Sequence, residues 1–126
     1  MVPAPGEFRA EIVPGGDPGA GSPTVVQVWG EIDMETASEF AGVLRSAAER
    51  SLRVAVDMSM VEFIDSSGIA VLLDAADRVR KDGGELTVRS PRAEARRVFG
   101  LLSLDGALPI EDQPAGGRPP DPAAGT

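Results

Sequence analysis

Two serines followed by a glycine, Ser66-Ser67-Gly68, are the residues of this chain whose types and position best suit chemistry. They follow Asp65, between an apolar strand candidate and a helix candidate with an apolar stripe. The N-terminus of a helix has unpaired N–H groups and a partial positive charge, so it favours a hydroxyl cap and equally favours an anion. A serine placed there can cap the helix, and it can also be a site for a phosphate group.

Catalysis by these serines is disfavoured by the residues that the chain lacks. A serine nucleophile needs a base beside it, and the sequence contains no histidine and no Gly-x-Ser-x-Gly motif. Lys81, the single lysine, lies about four turns along the predicted helix, roughly 20 Å or more from Ser66. No Gly-x-x-x-x-Gly-Lys-Ser/Thr loop is present for a nucleotide. We therefore expect no enzymatic activity and no cofactor.

Composition excludes further classes of function. Asp and Glu number 20 against 12 Lys and Arg, and the formal net charge of -8 disfavours binding to nucleic acid or to an anionic membrane surface. Without cysteine or histidine, the chain can form neither a disulfide nor a thiolate or imidazole metal site. Asp33, Asp57 and Asp65 resemble a carboxylate cluster for Mg²⁺, but no phosphate-acceptor lysine pattern accompanies them, so no metal is expected.

Stretches rich in proline and glycine delimit the part of the chain expected to fold. Residues 14–23 are predicted to form a long flexible loop, and residues 114–126 a disordered Pro/Gly/Ala-rich tail, because neither stretch can bury a core. Residues 1–113 are therefore expected to form one domain. No apolar run reaches the roughly 18 residues of a membrane span, and the N-terminus lacks a signal-peptide pattern, so a cytoplasmic location is the default expectation.

Hydrophobic patterning around the serines predicts the element order β-β-α-β-α-β-α. Strands that alternate with helices predict parallel neighbours joined by right-handed crossovers, here after an antiparallel opening pair. The expected fold class is α/β, with a small mixed β-sheet of four to five strands and helices packed mainly on one face. The predicted strands are 7–13, 24–30, 52–57 and 85–89, with a possible edge strand at 108–110, and the predicted helices are 34–50, 67–81 and one that begins at Pro91.

Polar and glycine residues at the ends of these elements have predicted local roles. Asp33 is a candidate cap of the first helix, and Ser90 is a candidate cap of the third. Asp57 is predicted to end the central strand and to bond nearby loop N–H groups. Asp65 either orients the adjoining loop through its carboxylate or is solvated. Gly68 is expected to leave room for the backbone of a partner.

Three blocks of sequence, in order and on the predicted elements, resemble those of the STAS domain and, within it, of the bacterial anti-sigma factor antagonists. Together they cover about residues 30–102, and the Pro/Gly loop and the tail, which depart from the family pattern, do not touch them. The blocks are Gly30-Glu31-Ile32-Asp33-Met34-Glu35-Thr36-Ala37, Val56-Asp57-Met58-Ser59-Met60-Val61-Glu62-Phe63-Ile64-Asp65-Ser66-Ser67-Gly68, and Asp82-Gly83-Gly84-Glu85-Leu86 with Val98-Phe99-Gly100-Leu101-Leu102.

The resemblance implies a switch protein with a STAS-like fold. In such proteins the unphosphorylated form binds an anti-sigma factor, itself a serine kinase with a GHKL-type ATP site, and the sigma factor is released. The kinase phosphorylates the serine that follows the motif's aspartate, and a PP2C-type phosphatase restores the free form. In this sequence that serine is Ser66, with Ser67 as the alternative. The implied partner surface consists of Asp33, Asp65, Ser66, Ser67 and Gly68.

A rival interpretation makes the domain a STAS docking subunit of a different assembly, such as a stress-sensing or lipid-transport complex. The Asp-Ser-Ser-Gly motif favours the kinase-coupled role. The resemblance is compatible with a monomer or a weak dimer, and neither nucleic acid nor a membrane is expected as a partner.

Overall fold

Five strands form one sheet in a computed structural model of the chain, which describes residues 3–13, 23–104 and 106–111. The element order is the predicted one, and the possible edge strand forms as a short fifth strand. The elements are β1 (Arg9–Ile12), β2 (Thr24–Ile32), α1 (Ala37–Arg50), β3 (Arg53–Ile64), α2 (Ser66–Lys81), β4 (Glu85–Arg89), α3 (Ala93–Leu101) and β5 (Ile110–Glu111).

The strands are arranged in the order β1-β2-β3-β4-β5. β1 is antiparallel to β2, and every later neighbour pair is parallel, which confirms the predicted mixed sheet. Each helix joins two neighbouring parallel strands, and each step moves in the same direction across the sheet. Right-handed crossovers of this kind place the helices against one face. The opposite face carries polar positions such as Gln27, Asp57 and Arg89, which are paired in register across the three central strands.

The core lies between the sheet and the helices. On β2, Val26, Val28 and Ile32 are fully buried, whereas the alternate residues Gln27, Trp29 and Glu31 are more exposed, as expected for a strand with one covered face. The apolar spacing of each helix predicts one buried face, and most of the predicted residues are buried. The exceptions are Ala37, Ala41, Ala48, Leu73 and Val98, which are half-buried, and Leu102, which is 54% exposed. Ala47, which lies outside the predicted face of α1, is buried. The buried helix residues are Phe40, Leu44, Ala47, Gly68, Ile69, Leu72, Ala76, Val79, Ala95 and Phe99.

The central strand is twice as long as predicted. β3 was expected over 52–57 and instead runs from Arg53 to Ile64, so the prediction that Asp57 ends it is wrong. The register between β2 and β3 shifts between Gln27 and Trp29 and again between Gly30 and Glu31. Each β-bulge inserts one extra residue into β3, which interrupts the two-residue alternation that identifies a strand in a sequence.

Helix starts differ from the prediction by one to three residues. α1 begins at Ala37 rather than 34, and α2 begins at Ser66 rather than Ser67. The expected start of α3 at Pro91 with Ser90 as its cap is wrong, since the helix begins at Ala93 after Arg92. Ser90 has a φ of 49°, a left-handed backbone that is unlike the extended conformation of an N-cap.

Two sequence predictions lie largely or wholly outside the described residues. These are the flexible loop at 14–23, of which only Pro23 is described, and the disordered tail at 114–126. Within the parts of the chain that are described, no helix is both long enough and apolar enough to cross a membrane.

Candidate functional site

The site is the edge of the sheet at which the parallel strands β2 and β3 end. Ile32 and Ile64, the last residues of these strands, are register partners. The backbone pairing extends one residue beyond β3, because the N–H of Asp65 donates a hydrogen bond to the carbonyl oxygen of Ile32 at 3.1 Å. The segment after each strand therefore leaves the sheet at the same edge. The structure thus brings the loop of Asp33 beside the loop of Ser66, as predicted.

Asp65 is the N-cap of α2. Its Oδ1 accepts hydrogen bonds from the backbone N–H groups of Ser67 at 2.8 Å and Gly68 at 3.3 Å. Its φ of -105° and ψ of -172° are the extended backbone of a capping residue. Of the two roles considered for this carboxylate, orientation of the loop is the one that the structure supports. The cap is therefore the aspartate, and neither serine fills that position.

Ser66 is the first residue of the helix, and it is exposed, whereas Ser67 is half-buried. Ser66 is thus the more accessible of the two residues. The N–H groups of the second and third helical residues, which attract anions at a helix start, are already bonded to the Asp65 carboxylate. The N-terminus of α2 is accordingly less open to a phosphate than its sequence indicated.

Gly68 has an intramolecular role in the described structure. It is buried, and a Cβ atom added to it would lie 2.6 Å from Cγ2 of Ile32 and 2.7 Å from Cγ1 of Ile64. The absence of a side chain therefore allows α2 to approach the paired ends of β2 and β3. The expectation that this glycine leaves room for a partner backbone is wrong, because the two isoleucines fill that space.

Asp33 organises the turn between β2 and α1. Its Oδ1 accepts from the N–H groups of Glu35 at 2.9 Å and Thr36 at 3.2 Å. Its own N–H donates to Oγ1 of Thr36 at 2.9 Å, and that hydroxyl donates to the carbonyl oxygen of Glu31 at 3.1 Å. The side chain of Asp33 therefore caps a turn, and the residue before α1 is Thr36 rather than Asp33.

Asp57 lies away from this edge. It is 6% exposed in the middle of β3, and its Oδ1 accepts from the N–H of Ser59 at 2.9 Å and the hydroxyl of Ser59 at 2.7 Å. At about 3.3 Å per residue, the seven residues to Ile64 place it roughly 20 Å back along the strand. Asp33, Asp57 and Asp65 therefore do not form the Mg²⁺ cluster that was considered. No group of three acidic side chains in the described ranges is suited to hold a metal ion.

One residue at this edge was missed by the sequence analysis. The sequence pattern predicts Met34 in the first turn of α1, but the residue lies in the turn between Asp33 and Thr36 and is 80% exposed. The signal that could have found it is the spacing Asp-x-x-Thr, because the threonine hydroxyl can bond back to the backbone of the aspartate and hold a turn ahead of the helix.

Comparisons with known proteins agree with this architecture. A family model described as "Mlab, STAS domain" matches residues 17–110. The anti-sigma-B factor antagonist of Bacillus subtilis is 27% identical over 92 residues, which are 73% of this chain and 84% of that protein. The crystal structure of an anti-sigma factor antagonist from Mycobacterium paratuberculosis is 26% identical, with a TM-score of 0.74, and the match covers 88% of this chain and 91% of that chain.

A third similarity concerns the fold alone. The structure of the Bacillus cell fate determinant SpoIIAA in its phosphorylated form is 18% identical, with a TM-score of 0.61 and coverage of 85% of this chain and 93% of that one. The family match spans most of the chain and contains the whole edge described above. The chain therefore belongs to the STAS domain family, within which its relatives include anti-sigma factor antagonists.

Proposed function

We propose that this protein is an anti-sigma factor antagonist that is switched by phosphorylation of Ser66. Its unphosphorylated form binds an anti-sigma factor with GHKL-type serine kinase activity, so that the sigma factor is released. A PP2C-type phosphatase returns the phosphorylated form to the free state. The observation that carries the proposal is the exposure of Ser66, the first residue of α2, directly after the capping Asp65.

The similarities support this assignment at two levels. The relatives from Bacillus subtilis and Mycobacterium paratuberculosis are antagonists of anti-sigma factors by name. A protein of the same fold, SpoIIAA, has been solved in a phosphorylated form. The choice of Ser66 over Ser67 rests on the Asp-Ser step in the sequence and on the greater exposure of Ser66.

The geometry favours a local effect of the phosphate. A phosphoserine carries roughly -1.5 to -2 charges at neutral pH. Because the Asp65 carboxylate occupies the N–H groups of Ser67 and Gly68, a phosphate on Ser66 stays at the surface beside another anion. If a partner contact shaped for the Ser66 hydroxyl covers this surface, the larger and charged phosphate must be desolvated in that space, which costs several kcal/mol. The packing of Gly68 against Ile32 and Ile64 is untouched by such a change.

Phosphorylation and binding of purified components test the proposal. A GHKL-type kinase from the genome that encodes this chain is incubated with the protein and ATP, and the modified residue is located by mass spectrometry. We expect phosphate on Ser66, no phosphorylation of Ser66→Ala, and normal phosphorylation of the matched variant Ser67→Ala. Affinity for the kinase should fall about tenfold or more on phosphorylation, which is about 1.4 kcal/mol. Phosphate on Ser67 alone would refute the site, and equal affinity of both forms would refute the switch.

A docking subunit of a different assembly is the second candidate. It is favoured by the family model itself, whose description names Mlab and a STAS domain rather than an anti-sigma factor antagonist. Under this alternative the protein binds its partner equally well with and without ATP, and no kinase modifies it. Comparison of the proteins that co-purify with and without ATP separates the two candidates.

A further inference from the structure

We infer that Met34 is the apolar anchor through which this protein engages its anti-sigma partner, and that the partner face receiving it is basic. The inference rests on the proposed function, because it names the contact made by the same edge of the sheet. It concerns a residue that lies outside the Asp-Ser-Ser-Gly motif.

The exposure of Met34 is the first observation. Among the described residues it is the most exposed large hydrophobic side chain, at 80%, followed by Leu101 of α3 at 77%. An exposed apolar side chain is favourable to bury, and a methionine adapts easily to the shape of a receiving pocket. Exposure alone does not identify a partner, since single surface hydrophobic residues are common.

The position of Met34 relative to Ser66 is the second observation. Met34 follows Ile32 by two residues, and Ser66 follows Ile64 by two residues, where Ile32 and Ile64 are register partners on adjacent parallel strands. The bond from the Asp65 N–H to the Ile32 carbonyl oxygen continues this pairing beyond the strands. A partner that covers the hydroxyl of Ser66 is therefore placed to cover Met34 as well. Leu101, which is almost as exposed, is the last residue of α3 and does not follow a paired strand end.

The rigidity of the turn is the third observation. The backbone on both sides of Met34 is held by bonds from Glu35 and Thr36 to the Asp33 carboxylate, at 2.9 and 3.2 Å. The hydroxyl of Thr36 ties the same turn back to the carbonyl oxygen of Glu31. The loop is thus ordered before binding, and association need not lose the conformational entropy of ordering it. A side chain presented on a preorganised turn is a favourable contact point for a partner.

Charge identifies the chemistry of the partner. Residues 31–44 and 58–73, which flank the two turns, contain six acidic residues and no Lys or Arg. Arg92, at the start of α3, approaches this region: it lines a cavity with Glu62 and Ile64, and its Nε donates to the carbonyl oxygen of Ser59 at 3.0 Å. One arginine against six acidic residues leaves the edge acidic. The six acidic residues are Glu31, Asp33, Glu35, Glu39, Glu62 and Asp65. A complementary partner carries Lys or Arg around an apolar pocket.

This charge distribution has a consequence for the proposed switch. A phosphate on Ser66 makes an already acidic edge more acidic, so at long range it attracts a basic partner more strongly. The loss of affinity on phosphorylation must then arise in the contact itself, from bulk and desolvation at Ser66. Phosphorylation should therefore raise the dissociation rate and leave the association rate equal or higher.

The test measures affinity for the purified anti-sigma kinase with the unphosphorylated chain and a set of variants. We expect Met34→Gln, which keeps the length of the side chain but not its apolar character, to weaken binding about tenfold, whereas Met34→Leu stays within a few-fold of the parent. Leu101→Ala, the control of matched exposure, should leave affinity unchanged. A thermal melt of each variant separates loss of a contact from loss of folding.

The outcomes separate the inference from the proposed function. If the parent chain binds and Met34→Gln binds equally well, Met34 is not the anchor, and the proposed function stands. If the unphosphorylated parent does not bind, the proposed function itself fails. Raising the salt concentration from about 0.1 M to about 1 M shortens the electrostatic screening length from about 10 Å to about 3 Å. This change should weaken binding. Unchanged or tighter binding at high salt would overturn the basic partner face.

Discussion

The same dipeptide stands at the end of two neighbouring strands, and a different local structure follows it in each case. Ile32-Asp33 and Ile64-Asp65 close β2 and β3, and the two isoleucines are paired in register. After Asp65 the helix begins at once, whereas after Asp33 a hydrogen-bonded turn precedes a helix that starts at Ala37. In each case the aspartate carboxylate accepts hydrogen bonds from the backbone N–H groups of the residues two and three positions later, so the local hydrogen bonding of the two sites is alike.

The difference lies in the three residues after each aspartate. Gly68 has no side chain and packs directly on Ile32 and Ile64, which allows the first turn of α2 to lie against the strand ends. The corresponding stretch after Asp33 is Met34-Glu35-Thr36, which has no glycine, and the chain makes a turn there before the helix forms. A capping aspartate therefore follows the strand in both cases, and the helix begins immediately in the case where a glycine lets its first turn lie against the strand ends.

Gly68→Ala is expected to have the largest effect on this contrast. The added Cβ atom would meet Ile32 Cγ2 at 2.6 Å and Ile64 Cγ1 at 2.7 Å, both stiff atoms next to a branched carbon. We expect a loss of about 1–3 kcal/mol in the free energy of unfolding, measured by urea denaturation. The matched control is Gly42→Ala in the middle of α1, where a Cβ atom meets nothing within 4 Å. That change should stabilise the protein by about 0.5–1 kcal/mol, and a similar loss in both variants would contradict the packing argument.

Removal of the two aspartate side chains should have unequal, smaller effects. Asp65→Ala leaves the N–H groups of Ser67 and Gly68 without their acceptor, and we expect a loss of about 1 kcal/mol in unfolding free energy. Asp33→Ala should cost less, about 0.5 kcal/mol, because the Thr36 N–H also bonds the Asp33 carbonyl oxygen at 3.1 Å. Asp65→Asn, which keeps an acceptor oxygen, serves as the control. Equal losses for the two alanine variants would show that both junctions depend on their caps alike.

Phosphorylation of Ser66 should have the smallest effect on stability. The first turn of α2 is held by the Asp65 cap and by the Gly68 contact, and neither involves the Ser66 hydroxyl. We expect the melting temperatures of the two forms to agree within a few degrees, in the range that about 0.5 kcal/mol produces in a domain of this size. Hydrogen exchange across α2 provides the second measurement. Loss of amide protection in α2 on phosphorylation would replace the local mechanism with a conformational one.

The sequence predicted the elements well where their patterns are uninterrupted. The apolar stripe predicted for α2 consists of Ile69, Leu72, Leu73, Ala76 and Val79, and all of these residues are buried except Leu73, which is half-buried. β4 was predicted over 85–89 and has those bounds. β3 was predicted poorly, because its bulges insert extra residues that hide the strand alternation. The role of Gly68 was also misjudged, since its neighbours Ile32 and Ile64 come from two other elements.

What the sequence determined by itself is local. Asp65 and the serines after it predict a helix start, and the stripe of α2 predicts which side of that helix is buried, because caps and periodicity act between residues a few positions apart. Only the tertiary structure decided that Met34 and Ser66 share one edge, that Asp57 lies far from them, and that Gly68 has no free space beside it. These facts depend on the register of β2 against β3, which arises from packing between distant segments and from two bulges that no local pattern specifies.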